Sequence, residues 1–217
     1  MADAVIRVQG RGMVEADPDL TVLTFQVVGR SQKYNLAVEQ AAKEVESIRS
    51  AFEKHGIARS TLKTTRFDVA RDETYDSKRE KRIFHGYDAT HGLRIELPRT
   101  TDAGAVLDAI ATAAPGASIQ VSFEIADRDA FRQRLLAAAV EAARRNAETI
   151  AGAAGVRLGP IAMIDYGWSE IRFRSGLDYS LNELSLSQNV ADMTKFEPKA
   201  VEGQEMVTVS WVILDGS

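Results

Sequence analysis

The spacing of hydrophobic and polar positions predicts a chain in which strands alternate with helices. Near the N-terminus, small or apolar residues occupy every second position from Ile6 to Val14, and arginine and glutamine occupy the opposite face. This period of two is typical of a half-buried strand. Equivalent patterns predict seven strands, over residues 4–14, 20–28, 61–70, 86–97, 119–125, 161–166 and 207–214. The turn residues Asp17-Pro18-Asp19 predict that the first two strands pair as a hairpin.

Apolar residues spaced by three and four positions predict three helices, over residues 31–56, 101–114 and 127–155. Ser31 is the expected N-cap of the first helix and Thr101 of the second, because a hydroxyl oxygen can accept a hydrogen bond from the first turn. Asp127 or Asp129 is expected to cap the third. The many alanines of the third helix indicate that it approaches a sheet or another helix closely.

The order of these elements predicts an α+β fold with two layers. We expect a mixed or mainly antiparallel sheet, packed by two long helices and one short helix. No linker rich in Pro, Ser or Gly divides the chain, so residues 1–217 are expected to form a single domain. The polar segment 175–200 has little periodicity and predicts a long loop that its leucines could order against a partner.

Composition excludes several classes of protein. The chain has 217 residues, 45% of them hydrophobic, a net charge of −4 and no cysteine. Zinc-thiolate sites, iron–sulfur clusters and thiol nucleophiles are therefore excluded, and nucleic acid is not an expected partner. No apolar stretch reaches the roughly 18 residues of a membrane helix. The N-terminus lacks the pattern of a secretory signal, so we expect a cytoplasmic protein, or a periplasmic one if a signal was removed.

No motif assigns a catalytic, cofactor-binding or metal-binding residue, and no cofactor is expected. Gly10-Arg11-Gly12 resembles a dinucleotide-binding loop, but Glu15 stands at the third glycine position and a strand follows. These glycines are better explained by a bulge or by close packing against a neighbouring element. Gly167 to Ile171 lacks the closing glycine of a nucleophile elbow.

The three histidines are too scattered to predict a metal site. On one strand, His85 and His91 would lie about 20 Å apart. His91 falls on the apolar face of its strand, where a hydrogen-bonded core imidazole is expected, and His55 lies at the helix end, where the dipole favours a cation. Five basic and four acidic residues nearly cancel between Arg71 and His85, which predicts a solvated hairpin tip.

Several short motifs, in this order along almost the whole chain, resemble the SIMPL domain family of bacterial envelope and cytoplasmic proteins. They are Val8-Gln9-Gly10-Arg11-Gly12, Pro18-Asp19, Gly86-Tyr87-Asp88-Ala89, Gly116-Ala117 and Gly155-Val156-Arg157-Leu158-Gly159. The resemblance implies structural roles for Pro18, Gly86, Tyr87 and Gly159, and no active-site residue. It also implies a closed homo-oligomer or a role in stress response or signalling.

Two classes of function follow from these observations. The first is a non-enzymatic interaction module that self-associates, through an exposed strand edge or through the loop at 175–200. An unidentified protein partner would also fit this class. The alternative is a small-ligand-binding protein or an unrecognised hydrolase, with a pocket between sheet and helices that uses Tyr87, His91 or Trp168.

Overall fold

The computed structural model describes residues 4–167, 171, 173, 179–181 and 198–215. In chain order, the elements are β1 (Val5–Ala16), β2 (Leu20–Ser31), α1 (Tyr34–Lys54), a 3-10 turn (Arg59–Thr61), β3 (Lys63–Asp76), β4 (Lys81–Pro98), α2 (Ala103–Ala113), β5 (Ser118–Glu124), α3 (Arg128–Ala154), β6 (Arg157–Asp165), β7 (Tyr179–Leu181) and β8 (Val201–Leu214).

The chain forms two compact units. Unit 1 comprises Met1–Pro18, Ile125–Gly176 and Lys199–Ser217, and unit 2 comprises Asp19–Glu124 and Leu177–Pro198. Unit 1 contains a three-stranded sheet of order β1-β8-β6 and the helix α3, and unit 2 contains a five-stranded sheet of order β3-β4-β2-β5-β7 with α1 and α2. That the two units together form one domain over residues 1–217 stays a prediction.

The predicted α+β class is confirmed, with two long helices, one short helix and antiparallel strand pairing. The strands divide between two sheets instead of joining in one. The expected hairpin between β1 and β2 is wrong, because β1 pairs with β8, whereas β2 pairs with β4 and β5. The residue after Pro18, Asp19, forms backbone hydrogen bonds with residues at the ends of β5 and β4 instead of continuing a hairpin. The amide of Asp19 donates to the carbonyl of Glu124 at 3.1 Å, and the amide of Arg99 donates to that of Asp19 at 3.0 Å.

In unit 1, helix α3 lies directly against the backbone of β1. A Cβ atom added to Gly10 would lie 2.1 Å from the carbonyl oxygen of Ala139, and one added to Gly12 would lie 2.2 Å from that of Leu135. The predicted close packing of these glycines is therefore confirmed. The buried positions of α3 repeat every four residues: Phe131, Leu135, Ala139, Ala143, Ala147 and Ala151. Small side chains on both surfaces bring the helix axis close to the sheet.

In unit 2, a glycine and small helix residues likewise allow close packing where α1 crosses β2. A Cβ atom on Gly29 would lie 2.1 Å from the carbonyl oxygen of Ala37, and Ala41 packs beside it. Further along, larger side chains fill the core between the sheet and the two helices. Its largest fully buried members include Leu23, Phe25, Ile48, Phe52, Leu93, Leu107 and Ile110.

Aspartates cap two of the helices: α2, for which the hydroxyl of Thr101 was predicted, and α3, for which Asp127 was one of the two predicted caps. Asp102 Oδ1 accepts from the amide of Ala105 at 3.1 Å, and Asp127 Oδ1 accepts from the amide of Ala130 at 2.8 Å. The predicted cap at Thr101 is therefore displaced by one residue. The cap at Ser31 is wrong, since α1 begins after Lys33 with no side-chain cap. Gly155 ends α3 in the left-handed conformation, with φ of 72°.

The segment from Arg71 to His85 is the exposed end of the β3–β4 hairpin, as predicted. Most of the predicted loop at 175–200 lies outside the described residues. Within it, β7 pairs antiparallel with β5. In the part of the chain that the structure describes, no helix is long and apolar enough to cross a membrane.

Candidate interaction surface

Strand β6 is an edge of the unit 1 sheet and carries exposed apolar side chains. It pairs with β8 on one side, and no described strand pairs with its other side. Ile161, Met163 and Ile164 are 50%, 46% and 52% exposed. An edge strand presents unpaired N–H and C=O groups, and natural proteins usually protect such edges with charges or cover. Among the described residues, this apolar edge is therefore the candidate interaction surface.

Helix α3 packs mainly on β1 and β8 and contacts β6 less, chiefly near Leu158. The glycines of β1 and the alanines of α3 fix the helix over these two strands. Strand β6 runs alongside, with register shifts on either side of Ile161. A Cβ atom added to Gly159 would lie 3.0 Å from the carbonyl oxygen of Val212, which gives this glycine the structural role that the family resemblance implies.

The pairing with β8 assigns the β6 side chains to two faces. Leu158, Ile161 and Ile164 lie opposite Ile213, Trp211 and Val209, the α3-facing residues of β8. Paired residues project to the same face of an antiparallel sheet, so this apolar row lies on the α3 side. Met163 and Asp165 lie opposite Ser210 and Thr208, on the other face.

Charged residues mark the two ends of β6. Arg157 begins the strand and donates through Nε to the carbonyl oxygen of Asp215 at 3.2 Å. Asp165 ends it and forms a 3.6 Å ion pair with Arg7, in which both side chains are more than half exposed. Such exposed ion pairs contribute little stability, so these charges remain available to a partner.

A buried carboxylate lies on the neighbouring strand β8. Glu205 is 2% exposed; it accepts from the Tyr166 hydroxyl at 3.4 Å and from the Met206 amide at 3.3 Å. Burial, and next the charge of Glu205, raise the pKa of Tyr166 above its usual value of 10.0. The phenol therefore stays protonated at neutral pH and acts as a hydrogen-bond donor. It does not provide a base or a nucleophile.

A second buried carboxylate lies in unit 2. Glu124 is 2% exposed, with Arg94 Nη2 at 2.9 Å and Ser122 Oγ at 3.4 Å. The arrangement explains how a charge is tolerated in this sheet, because the ion pair and the hydroxyl solvate it.

His91 and His85 each make a hydrogen bond with a threonine side chain. His91 Nε2 lies 2.8 Å from Thr64 Oγ1 and its ring packs edge-on against Phe67, while His85 Nε2 lies 2.7 Å from Thr74 Oγ1. Burial, followed by the charge of Arg49, lowers the pKa of His91. Among the described residues, no group of three or more acidic or histidine side chains could hold a metal ion.

Two residues of the predicted ligand pocket, Tyr87 and His91, both lie on β4 and do not contact each other through their rings. Tyr87 packs edge-on between Tyr34 and Phe84, four positions from His91 on β4. Trp168 lies outside the described residues. An open cleft of about 790 Å³ does exist elsewhere, between α1 and α2. Its lining combines small residues with charges of both signs, and includes neither Tyr87 nor His91: Lys43, Glu46, Ser47, Ser50, Ala51, Lys54, His55, Asp108, Ala109, Thr112 and Ala113.

The family model of SIMPL, described as a protein of unknown function (DUF541), matches residues 6–211. The chain belongs to the SIMPL family. The match extends over both units and includes the exposed strand β6. The resemblance predicted from the ordered motifs is thus confirmed.

Among curated SIMPL relatives, the uncharacterized protein YggE of Escherichia coli K12 is 26% identical over 157 residues. This alignment covers 72% of the chain and 63% of YggE, so the chain spans less than two thirds of that relative. YggE of Edwardsiella ictaluri is 25% identical, with 72% and 65% covered. A protein of Brucella abortus named the 26 kDa periplasmic immunogenic protein is 26% identical over 164 residues, with 74% and 66% covered.

The sequence predicted the kind of surface, an exposed strand edge, but not which strand provides it. The signal was present in Ile161-Ala162-Met163-Ile164, an uninterrupted apolar run. Such a run has apolar side chains on both faces. A helix covers one face at most, so some of these side chains must either be exposed or contact another chain.

Proposed function

We propose that the protein is a non-enzymatic interaction module that self-associates. The exposed apolar edge of β6 carries this proposal, with three side chains about half exposed along an edge that no described strand pairs with. The buried carboxylates support it, because each is held in a hydrogen-bond network with structural partners, Glu205 with Tyr166 and Glu124 with Arg94. A role in stress response or signalling belongs to the same proposal and rests on the family resemblance alone.

Absolute mass by light scattering over a concentration series tests self-association. A stable multiple of 23.7 kDa is expected, and 23.7 kDa at every concentration would contradict the proposal. That second result would instead favour the alternative of a small-ligand-binding protein or hydrolase. The α1–α2 cleft supports this alternative only by its volume, which falls in the usual range for ligand sites.

Partners and location are also part of the proposal. A second copy of the chain is the proposed partner, with a different protein as a further candidate and no nucleic acid, given the net charge of −4. The proposed location is the cytoplasm, with the periplasm as the alternative that the name of the Brucella relative favours. Fractionation of cells that produce the native protein distinguishes the two locations.

A further inference from the structure

We propose that two copies of the protein join through their β6 strands, which pair antiparallel about a two-fold axis at Ile161. This inference rests on the proposed function, since it specifies the contact by which the chain self-associates. The partner is a second copy because β6 is complementary to itself when it is reversed, both in the faces of its side chains and in its charges.

The faces match when Ile161 lies opposite Ile161 of the second copy. Leu158 then lies opposite Ile164, and all three residues belong to the α3-facing row defined by the pairing with β8. Side chains directly opposite each other in an antiparallel pair make the closest contacts. The half-exposed isoleucines of both copies therefore cover one another. If one strand were shifted by one residue, paired side chains would point to opposite faces of the sheet. The apolar row of Leu158, Ile161 and Ile164 therefore determines the register of the two strands.

The charges match in the same register. Arg157 lies opposite Asp165 at one end of the paired strands, and the two-fold axis repeats this pair at the other end. Opposite charges directly across a strand pair are favourable, whereas like charges are unfavourable. A parallel pairing in register would instead place Arg157 beside Arg157 and Asp165 beside Asp165. The charges thus select the antiparallel arrangement.

The backbone gains hydrogen bonds in this contact, with one local loss. The N–H and C=O groups on the outer edge of each β6, to which no described strand pairs, find partners across the axis. Pro160 has no N–H, so the ladder lacks one donor in each copy. Next to it, Gly159 lies opposite Met163 of the second copy, where a residue without a side chain leaves room for a long one.

Single cysteines test the register, because the chain has no cysteine of its own. Opposite residues have Cα atoms about 4.5–5.5 Å apart, which is within reach of a disulfide. Ile161→Cys, oxidised by copper phenanthroline in air, is expected to give a covalent dimer on a non-reducing gel. Met13→Cys, on the other edge of the same sheet and 68% exposed, is the matched control and should give only background cross-linking.

A mixing experiment sharpens this test. Leu158→Cys and Ile164→Cys should cross-link when mixed, but neither should do so alone, because each residue lies about 20 Å from its own copy across the axis. If wild type is oligomeric while Ile161→Cys and the mixture give no more dimer than Met13→Cys, the β6 contact is wrong and self-association stands. If wild type is monomeric at every concentration, the proposed function fails and this inference fails with it.

Discussion

Gly10→Ala tests how the fold positions α3 over the sheet of unit 1. The added Cβ would lie 2.1 Å from the carbonyl oxygen of Ala139, 2.4 Å from the amide nitrogen of Ala143 and 2.7 Å from the Cβ of Ala143. Ordinary contacts require more than 3.4 Å. None of these atoms belongs to a flexible side chain, so the helix itself must move away from β1 by about 1 Å.

Inserting a methyl group into a packed interface costs roughly 1–3 kcal/mol. The contact at Gly10 is with helix backbone, so the cost should be near 3 kcal/mol, offset by about 0.4–1 kcal/mol because alanine restricts the unfolded chain. We therefore expect the free energy of unfolding to fall by about 2–3 kcal/mol. For a chain of this length, that change lowers the melting temperature by roughly 4–12 °C.

Urea unfolding followed by tryptophan fluorescence measures this change. Trp211 packs in the same cluster as Ala143, so it reports on this interface, and a background with Trp168→Phe makes it the single tryptophan. Gly152→Ala is the matched control, because no atom lies within 4 Å of its added Cβ. It should stabilise α3 by about 0.5–1 kcal/mol. A Gly10→Ala variant within about 0.5 kcal/mol of wild type would refute the account of this interface.

Two further predictions concern a helix cap and a histidine. Asp127→Ala removes the acceptor of the Ala130 amide and should lower the free energy of unfolding by about 1 kcal/mol; Asp129→Ala, which loses only a favourable charge near the helix start, should cost less. The pKa of His91 is lower in the folded chain than in the unfolded chain, so on acidification the unfolded chain binds a proton at a higher pH than the folded chain does. The free energy of unfolding should therefore fall as the pH drops below about 6.5. Denaturation between about pH 7.5 and about pH 5 should show a shallower slope for His91→Asn than for wild type, and equal slopes would contradict the assignment.

The helices and their buried faces could be predicted because the signals are local. Spacings of three and four identified the buried stripe of α1, including Val45, Ile48 and Phe52. The glycine at the end of α3 and the aspartate at its start were equally readable, since each acts on its own turn. In the alanine-rich part of α3, hydrophobicity does not identify the buried face. Ala147 is buried and Ile150 is exposed, because the helix lies so close to the sheet that only a small side chain fits between them.

The partners of the strands could not be predicted in the same way. A period of two identifies a strand and its buried face, but not the strand that pairs with it. The turn at Pro18 suggested a hairpin, yet β1 pairs with β8, nearly two hundred residues away in sequence. Gly10 and Gly12 allow β1 to lie directly against the backbone of α3. The apolar side chains of β8 pack against the alanines of the same helix. This pairing depends on tertiary packing, and it also determines which strand, β6, remains an edge.

The most direct test of the central claim, self-association through β6, is the absolute mass of Ile164→Lys beside that of wild type and Met13→Lys. A charge on an edge strand opposes pairing with another chain, and both positions are exposed apolar residues on edges of the same sheet. At a concentration where wild type is a multiple of 23.7 kDa, Met13→Lys should keep that mass and Ile164→Lys should fall toward 23.7 kDa. An unchanged mass for Ile164→Lys would contradict the claim.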